Sequence, residues 1–302
     1  MKQLRALVKR NIKLFFKDKG MFFTSLITPM ILLILYVTFL ANIFKNGFSG
    51  ALEAFDISER LINGCVGGQL ISSILAVSCV TVAFCSNMLM VQDKVTGAIN
   101  DLMITPVKPA VLAFSYYIST LISTLIICYT ATAVCFGYMA FVGWYLAFGD
   151  VLLLLLDVFL LVMMGTALSS IINFFLTSQG QISAVGTIIS CGYGFISGAY
   201  MPISSFGVGL QRVLLFLPGT YGTSLLRNHA LNGAFTEMES IGVPSDTIIL
   251  LKEAFDCNLK FFGHTVSVPI MYIILIVTVI VLVSIYILLN VFKGKKRMTS
   301  SK

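Results

Sequence analysis

The chain has 302 residues and a net charge of +7; 58% of its residues are hydrophobic and only 11% are charged. A soluble domain carries about a quarter charged residues, so this chain has too few polar side chains to cover a surface that faces water. A soluble globular protein is therefore excluded. We predict an all-α integral membrane protein.

The N-terminal segment, residues 1–20, is predicted to form an amphipathic helix. Leu4, Leu7, Ile12 and Phe15 recur at helical spacing on one face, and lysines and arginines occupy the other. A helix with this pattern lies in the membrane interface, with its apolar face toward the acyl chains. It acts either as a topological anchor, which the spacing favours, or as a contact for a cytoplasmic partner.

Long uncharged runs follow, and they predict six transmembrane helices within a domain that covers residues 21–302. Each run exceeds the roughly 18 apolar residues that indicate a spanning helix. The predicted spans are residues 21–44, 66–91, 111–139, 151–172, 182–200 and 266–291.

Most of the 20 basic residues lie in the N-terminal segment, in the C-terminal tail and in the loop between the second and third spans. Cytoplasmic segments carry an excess of Lys and Arg, so both termini are predicted to be cytoplasmic, as an even number of spans requires. The positive net charge is thus explained by topology in the plasma membrane. It does not require a nucleic-acid partner.

The loop over residues 92–109 is predicted to be structured. Prolines fix its exit, a short helix is predicted near Thr96–Met103, and a glycine permits close approach of the backbone. Its distinctive residues are Asp93, Lys94, Gly97, Asp101, Leu102, Thr105 and Pro106.

A second unusual segment covers residues 201–222, MPISSFGVGLQRVLLFLPGTYG. About fifteen residues separate its two prolines, or roughly 22 Å of helix at 1.5 Å per residue, which cannot cross a hydrocarbon core of about 30 Å. The distinctive residues here are Ser197, Gly198, Pro202, Gln211, Pro218, Tyr221 and Arg227.

In their order and spacing, these two segments and the six spans resemble ABC-2 type transporter permeases. The resemblance implies a type V exporter-like fold in which the short helix of residues 92–109 binds a groove on a separate ATPase subunit. It also implies that residues 201–222 form a re-entrant helix in the outer leaflet, before an extracellular insertion over residues 228–265. Within this insertion the sequence predicts an amphipathic helix near Ser245–Phe255. Residues 92–98, QDKVTGA, depart from the more usual Glu-Arg-Glu-x-Gly-Thr, because the threonine after the glycine is absent.

The chain carries no P-loop, HExxH or GxSxG motif, so no catalytic residues are predicted. His229, Cys257 and His264 do not match the spacing of a standard zinc site, and no metal or cofactor is expected on this chain. The resemblance implies that ATP and Mg²⁺ bind the ATPase partner and that two permease copies pair, as a homodimer.

Small and hydroxyl residues recur at steps of three and four along the fifth and second predicted spans. Such a face allows close helix packing in lipid, so it indicates a helix contact, a dimer seam or a translocation path. The polar members are Ser183, Thr187, Ser190, Ser197, Ser72 and Ser86.

Asp157 lies within the fourth predicted span, and ionisable residues inside a membrane are functional candidates.

The predicted function is ATP-driven export of a hydrophobic or amphipathic small molecule, such as a drug, antibiotic or natural product, or of a lipid. Export of a lipid-linked polysaccharide or teichoic-acid-like polymer is one alternative. An ion-coupled transporter that uses Asp157 without an ATPase, and a sensor or immunity protein that transports nothing, are others.

Overall fold

A computed structural model describes residues 2–52, 55 and 57–300. Residues 1, 53, 54, 56, 301 and 302, which belong to the predicted segments 1–20 and 21–302, lie outside the described residues. The helices are α1 (Lys2–Lys17), α2 (Lys19–Leu35), α3 (Ala41–Ala51), α4 (Glu59–Ser86), α5 (Met88–Val95), α6 (Ala98–Ile104), α7 (Pro109–Val142), α8 (Phe148–Phe175), α9 (Gln179–Ile196), α10 (Val208–Leu214), α11 (Pro218–Ser240), α12 (Ser245–Ala254) and α13 (Val268–Ser300).

Short irregular elements connect some of these helices. A π-helical turn, Tyr36–Leu40, joins α2 to α3 without a break, and a 3-10 turn, Ile203–Ser205, precedes α10. Strands β1 (Lys260–Phe261) and β2 (His264–Thr265) form an antiparallel hairpin before α13. We call the end of the bundle that carries α1 and α6 the α6 end, and the opposite end, which carries α12 and the β-hairpin, the hairpin end.

Five helical stretches of the described chain are long and apolar enough to cross a membrane. They are Lys19–Gly50, Glu59–Val95, Pro109–Val142, Phe148–Phe175 and Val268–Phe292. They overlap all the predicted spans except residues 182–200, and the last predicted span, residues 266–291, starts two residues before its helix. The segment 182–200 corresponds to α9, an 18-residue helix whose first turn holds two glutamines, and it is not among the five. The count of six spans therefore stays a prediction.

The first spanning stretch is longer than the predicted residues 21–44. The prediction stopped at the first charged residue, Lys45, but the helix continues past it. Lys45 lies near Glu59, with 3.7 Å between Nζ and Oε1, and both side chains are exposed. One turn later, the ring of Phe48 stacks on Phe255 at a centroid distance of 4.0 Å. The exposed Lys45 therefore does not end the helix, which continues to the buried Phe48.

Helix α4 forms the centre of the bundle. Its hydrophobic residues are distributed around the whole helix, as expected of a helix surrounded by other helices, and nearly all of its residues are buried. It contacts α2, α7, α8, α9 and α11. Gly165 of α8 approaches the backbone of Val80 so closely that a Cβ there would lie 3.0 Å from its Cα.

The segment predicted as one short helix over residues 201–222 is divided. After the 3-10 turn, α10 has only seven residues, and α11 then starts at Pro218, a residue whose fixed φ suits the first helical position. Helix α11 continues to Ser240, so the predicted boundaries at residues 222 and 228 fall inside a helix.

Contacts along α11 show where this helix runs. Near its start, Gly222 lies against Leu161, about halfway along α8. Near its end, Asn232 donates a hydrogen bond of 2.9 Å to Asp150, in the first turn of α8. Helix α11 therefore begins beside the middle of α8 and emerges at the hairpin end.

The predicted insertion over residues 228–265 contains the rest of α11, then α12 and the β-hairpin. Helix α12 spans Ser245–Ala254 and corresponds to an amphipathic helix that the sequence predicts near Ser245–Phe255. Leu251 and Ile248 are its buried residues, so α12 packs its apolar side against the bundle.

Replacement of Gly233 by alanine should destabilise the protein. A Cβ at Gly233 would overlap the carbonyl oxygen of Tyr145, and this backbone atom cannot move aside as a side chain can. We expect a loss of about 1–3 kcal/mol, the usual range for overpacking, measured as a lower midpoint of thermal unfolding in detergent. Gly137→Ala is the matched control, because a Cβ on that exposed helical glycine meets nothing within 4 Å. Equal midpoints for the two variants would contradict this assignment.

Candidate functional site

Helix α6 projects from the α6 end of the bundle. Gly97 precedes it with φ +82°, a left-handed conformation that glycine adopts without strain, and this turn directs α6 away from α5. None of the residues in α6 is buried. Ile104 is 84% exposed and Met103 is 42% exposed, so the tip of the helix presents apolar side chains outward.

The predicted coupling residues fall into two groups. Asp101, Thr105 and Pro106 are exposed on or just after α6, and Leu102 is half-buried within the helix. Asp93 and Lys94, by contrast, point into the bundle and bind other helices. The first group can contact a partner, whereas the second group fixes the support on which α6 stands.

Asp93 is buried, with 5% of its surface exposed, and it joins three helices. Arg10 of α1 binds both carboxylate oxygens, at 2.7 Å from Nη1 to Oδ2 and 3.1 Å from Nη2 to Oδ1. Tyr116 of α7 donates its hydroxyl to Oδ2. Hydrogen bonding to Asp93 raises the pKa of Arg10 above its usual value, against the opposing effect of burial. A bidentate pair of this kind fixes orientation as well as distance.

Lys94 caps the C-terminus of α8. Its Nζ donates to the carbonyl oxygens of Asn173, Phe174 and Leu176 at 2.7, 2.9 and 3.1 Å. The last carbonyls of a helix lack intrahelical partners and carry partial negative charge, so an ammonium group is well suited to this position. Asp93 and Lys94, neighbours in sequence, thus connect α5 to α1 and α7 on one side and to α8 on the other.

Asn87, at the junction of α4 and α5, forms a further polar contact that the sequence did not reveal. Its Nδ2 donates to Ser169 Oγ and Ser170 Oγ, both at 3.0 Å. Thr120 of α7 donates to its Oδ1 at 3.3 Å, and Asn173 donates to its carbonyl oxygen at 3.2 Å. A strongly polar residue within the predicted span 66–91 was the available signal, but its partners lie on other helices.

At the hairpin end, Arg227 and Asp256 form a buried ion pair of 3.1 Å with side chains only 1% and 4% exposed. Arg227 also donates to the carbonyl oxygen of Gly198 at 2.6 Å, and the backbone N–H of Ile203 donates to Asp256 at 2.6 Å. Burial raises the pKa of Asp256, and the charge of Arg227 opposes that shift. The pair ties the turn after α9 to the loop after α12. Asp256 had no distinguishing sequence signal.

The other predicted residues of the 201–222 region support its turns. Gln211 donates to the carbonyl oxygens of Ser204 and Phe206 at 3.1 and 2.7 Å. Tyr221 donates to the carbonyl oxygen of Leu215 at 2.6 Å. Pro202 leads into the 3-10 turn. The backbone carbonyls that α10 and its flanking turns leave without helical partners are thus partly satisfied by side chains.

Asp157 is fully buried and is bound on both oxygens. Nδ1 of His229 on α11 lies 2.6 Å from Oδ2, and Tyr272 of α13 donates to Oδ1 at 2.6 Å. The carboxyl group therefore joins α8, α11 and α13. His229 is accordingly engaged with Asp157, and no three His, Cys, Asp or Glu side chains cluster as metal ligands in the described part of the chain.

The predicted small-residue faces lie in different surroundings. Ser72 and Ser86 of α4 are buried inside the protomer, and so is Ser197 after α9. Ser183 and Thr187 of α9 are exposed, Ser190 is half-buried, and the hydroxyls of Ser183 and Thr187 bond to their own helix. Within one protomer these residues do not form a single surface.

A family model described as ABC-2 type transporter matches residues 2–230, which is well over half of the chain. The chain belongs to the ABC-2 type transporter family. It is therefore a multi-pass membrane protein and the permease component of an ABC transporter. It is not an enzyme, and ATP is hydrolysed by a separate ABC ATPase subunit. No curated protein matches the chain. The family match ends inside α11, so α12, the β-hairpin and α13 lie beyond it.

Loss of the Arg10–Asp93 pair should loosen α1. Arg10→Met removes a bidentate pair to a charged group, and because Arg10 is partly exposed to solvent we take a net loss of about 1.5–3 kcal/mol for the whole pair. We therefore expect backbone amides of α1 to exchange roughly 10-fold to 100-fold faster. Hydrogen–deuterium exchange with mass spectrometry measures this change.

The matched control is Lys9→Met, at the neighbouring exposed position of the same helix, and it should leave exchange in α1 unchanged. Arg10→Lys should be intermediate, because lysine keeps the charge and loses the bidentate geometry. If Arg10→Met exchanged like Lys9→Met, the pair would not hold α1.

Proposed function

We propose that this permease exports a hydrophobic or amphipathic small molecule, or a lipid, outward across the plasma membrane, with both termini in the cytoplasm. In this proposal two copies form a homodimer, and each copy binds one ATPase subunit, where ATP and Mg²⁺ are held. The observation that carries it is α6, an exposed helix with apolar residues at its tip, mounted on a base that is bonded to three other helices.

The contacts of this base support a route for the motion. A partner that pushes on α6 would move α5, because only Thr96 and Gly97 separate the two helices. Asp93 would transfer that displacement to α1 and α7, and Lys94 would transfer it to α8. A push at the α6 end would therefore change the tilt of the main spanning helices.

The second half of the proposal concerns the route of the cargo. Helix α9 presents exposed hydroxyl and small residues, including Ser183 and Thr187, and a face of this kind is suited to a second permease copy or to a passing molecule. In our proposal the residues 201–222 region is re-entrant and closes the outer half of that route, because α11 begins beside the middle of α8. The uncharged exposed faces of the spans favour an apolar or amphipathic cargo over an ionic one.

The coupling assignment predicts the effect of a charge at the tip of α6. Ile104→Asp should reduce the amount of ABC ATPase that co-purifies with the tagged permease by roughly tenfold or more, because a desolvated unpaired charge is costly at an interface. Quantitative mass spectrometry of the purified complex measures the ratio. Phe262→Asp is the control, since Phe262 is also exposed and apolar but lies in the β-hairpin at the opposite end. Equal ATPase recovery from both variants would refute the coupling role of α6.

The direction and cargo class are tested on the same purified complex in proteoliposomes. We expect ATP to drive the amphipathic dye Hoechst 33342 toward the lumen in vesicles whose ATPase subunits face outward, with no such transport by the Ile104→Asp variant. Failure of a panel of amphipathic dyes, together with transport of a lipid-linked oligosaccharide, would replace the small-molecule proposal with the polymer alternative.

The ion-coupled alternative makes an opposite prediction for Asp157. In our proposal its role is to join helices, and asparagine can accept from Tyr272 while its amide donates to the other tautomer of His229. Asp157→Asn should therefore keep ATP-driven dye transport, whereas Asp157→Leu should lower stability by about 1–3 kcal/mol because it leaves the buried His229 and the half-buried Tyr272 unpaired. Transport abolished in a stably folded Asp157→Asn variant would favour ion coupling.

A further inference from the structure

A small cavity lies where α1 packs against the bundle, close to the Arg10–Asp93 pair. It has a volume of about 10 Å³ and is lined by Asn11 and Phe15 of α1, Ser86 of α4, and Ser119 and Thr120 of α7, among others. A space of about this size accommodates one water molecule, provided that polar partners surround it. The lining is predominantly polar, although it is buried between four helices, since Leu89 of α5 also contributes to it.

Two side chains at this cavity have polar atoms that lack a partner. Asn11 is 1% exposed and Ser86 is 3% exposed. The amide oxygen of Asn11 accepts from Arg10 Nη1 at 2.9 Å, which fixes the orientation of the amide group. Its Nδ2, and the hydroxyl of Ser86, have no hydrogen-bond partner among the described residues. A buried polar atom without a hydrogen bond reduces the stability of the fold, unless a water molecule or an ion binds to it.

The α7 hydroxyls supply the complementary acceptors. Ser119 donates its proton to the carbonyl oxygen of Tyr116 at 3.0 Å, and Thr120 donates its proton to Asn87 Oδ1 at 3.3 Å. Since each hydroxyl has spent its single proton, both oxygens retain lone pairs that can only accept. The cavity is thus lined on the α1 side by a donor, on the α7 side by acceptors, and on the α4 side by a hydroxyl that can do either.

We propose that one internal water molecule occupies this cavity and bonds α1 to α4 and α7. Its oxygen accepts from Asn11 Nδ2, and its protons are donated to the hydroxyl oxygens of α7 and of Ser86. A cation does not fit this site, because the amide of Asn11 presents N–H groups to it and Arg10 lies beside it. The arrangement requires a molecule that both donates and accepts, and water has this property at the available size.

The water gives α1 a second attachment that differs from the Arg10–Asp93 pair. A direct bidentate pair fixes one geometry, whereas a bridging water can exchange one hydroxyl partner for another on α7 as α1 shifts. Helix α1 is therefore pinned at Arg10 and adjustable at Asn11. This property belongs to α1 whatever cargo the permease carries.

X-ray radiolytic footprinting of the full permease in lipid nanodiscs tests the proposal, because radiolysis of a bound water produces hydroxyl radicals in place. Phe15 lines the cavity and is 2% exposed, so radicals from bulk solvent do not reach it. We expect Phe15 to be oxidised at least about fivefold faster than Phe235, an equally buried ring that does not line the cavity, since the proposed water lies beside Phe15. Leu7, buried elsewhere on α1, reports any detachment of the whole helix.

Two variants at Ser86 complete the experiment. Ser86→Val fills the cavity and should reduce oxidation of Phe15 to the level of Phe235, whereas Ser86→Ala leaves the space open and should preserve most of it. Oxidation of Phe15 no faster than that of Phe235 in the unmodified protein would overturn the proposal. Equal oxidation of Phe15 in Ser86→Val and in the unmodified protein would also overturn it. So would oxidation of Leu7 that increases together with that of Phe15, since either result would indicate local opening of α1.

Discussion

A carboxylate inside a protein requires cations or hydrogen-bond donors around it, and the position of Asp93 makes this requirement decisive for the α6 end. Arg10 of α1 and Tyr116 of α7 donate hydrogen bonds to Asp93. If either partner moved away, the buried carboxylate would lose a hydrogen-bond donor in apolar surroundings. The three helices are therefore held in one arrangement. Helix α6 inherits its placement from this arrangement, since it follows Asp93 by only a few residues.

The same rule organises the opposite end. Asp256 is neutralised by Arg227, and Asp157 is bound by His229 and Tyr272. Both Arg227 and His229 lie on α11, so this helix is connected to α8, to α13 and to the loop after α12. The chain thus uses few charged residues inside the bundle, and each one joins elements that are distant in sequence. A change in the position of α11 would have to be shared by all of these neighbours.

Much of the architecture could be predicted from local signals. Hydropathy located five of the spanning helices, and the prolines and Gly97 located the short helix α6, because these signals act within a few residues of where they are read. The helix near Ser245 was predictable from its amphipathic spacing for the same reason. Length errors arose where tertiary contacts lie beyond the point at which the local signal ends, as when the first spanning helix continues past Lys45 to Phe48, whose ring stacks on Phe255.

The polar contacts of the candidate site were not predictable in this way. Arg10 and Asp93 are 83 residues apart, and Asp157 and His229 are 72 residues apart. The sequence adjacent to Asp93 or Asp157 does not indicate which residue will bind it. Without that information, Asp93 was predicted to be an exposed residue of a docking loop. Asp157 read as an isolated intramembrane acid. The residue types were visible in the sequence, but their roles depended on the packing of the helices.

Helix α4 has a consequence for how the protein meets membranes of different thickness. Because nearly all of α4 is buried, its surroundings are protein, whereas α2 and α13 leave most of their spanning surface exposed. Hydrophobic mismatch acts on surfaces that contact acyl chains, and it is relieved by tilting or by local deformation of the bilayer. We therefore expect the outer helices to tilt when the bilayer thickness changes, while the orientation of α4 stays the same.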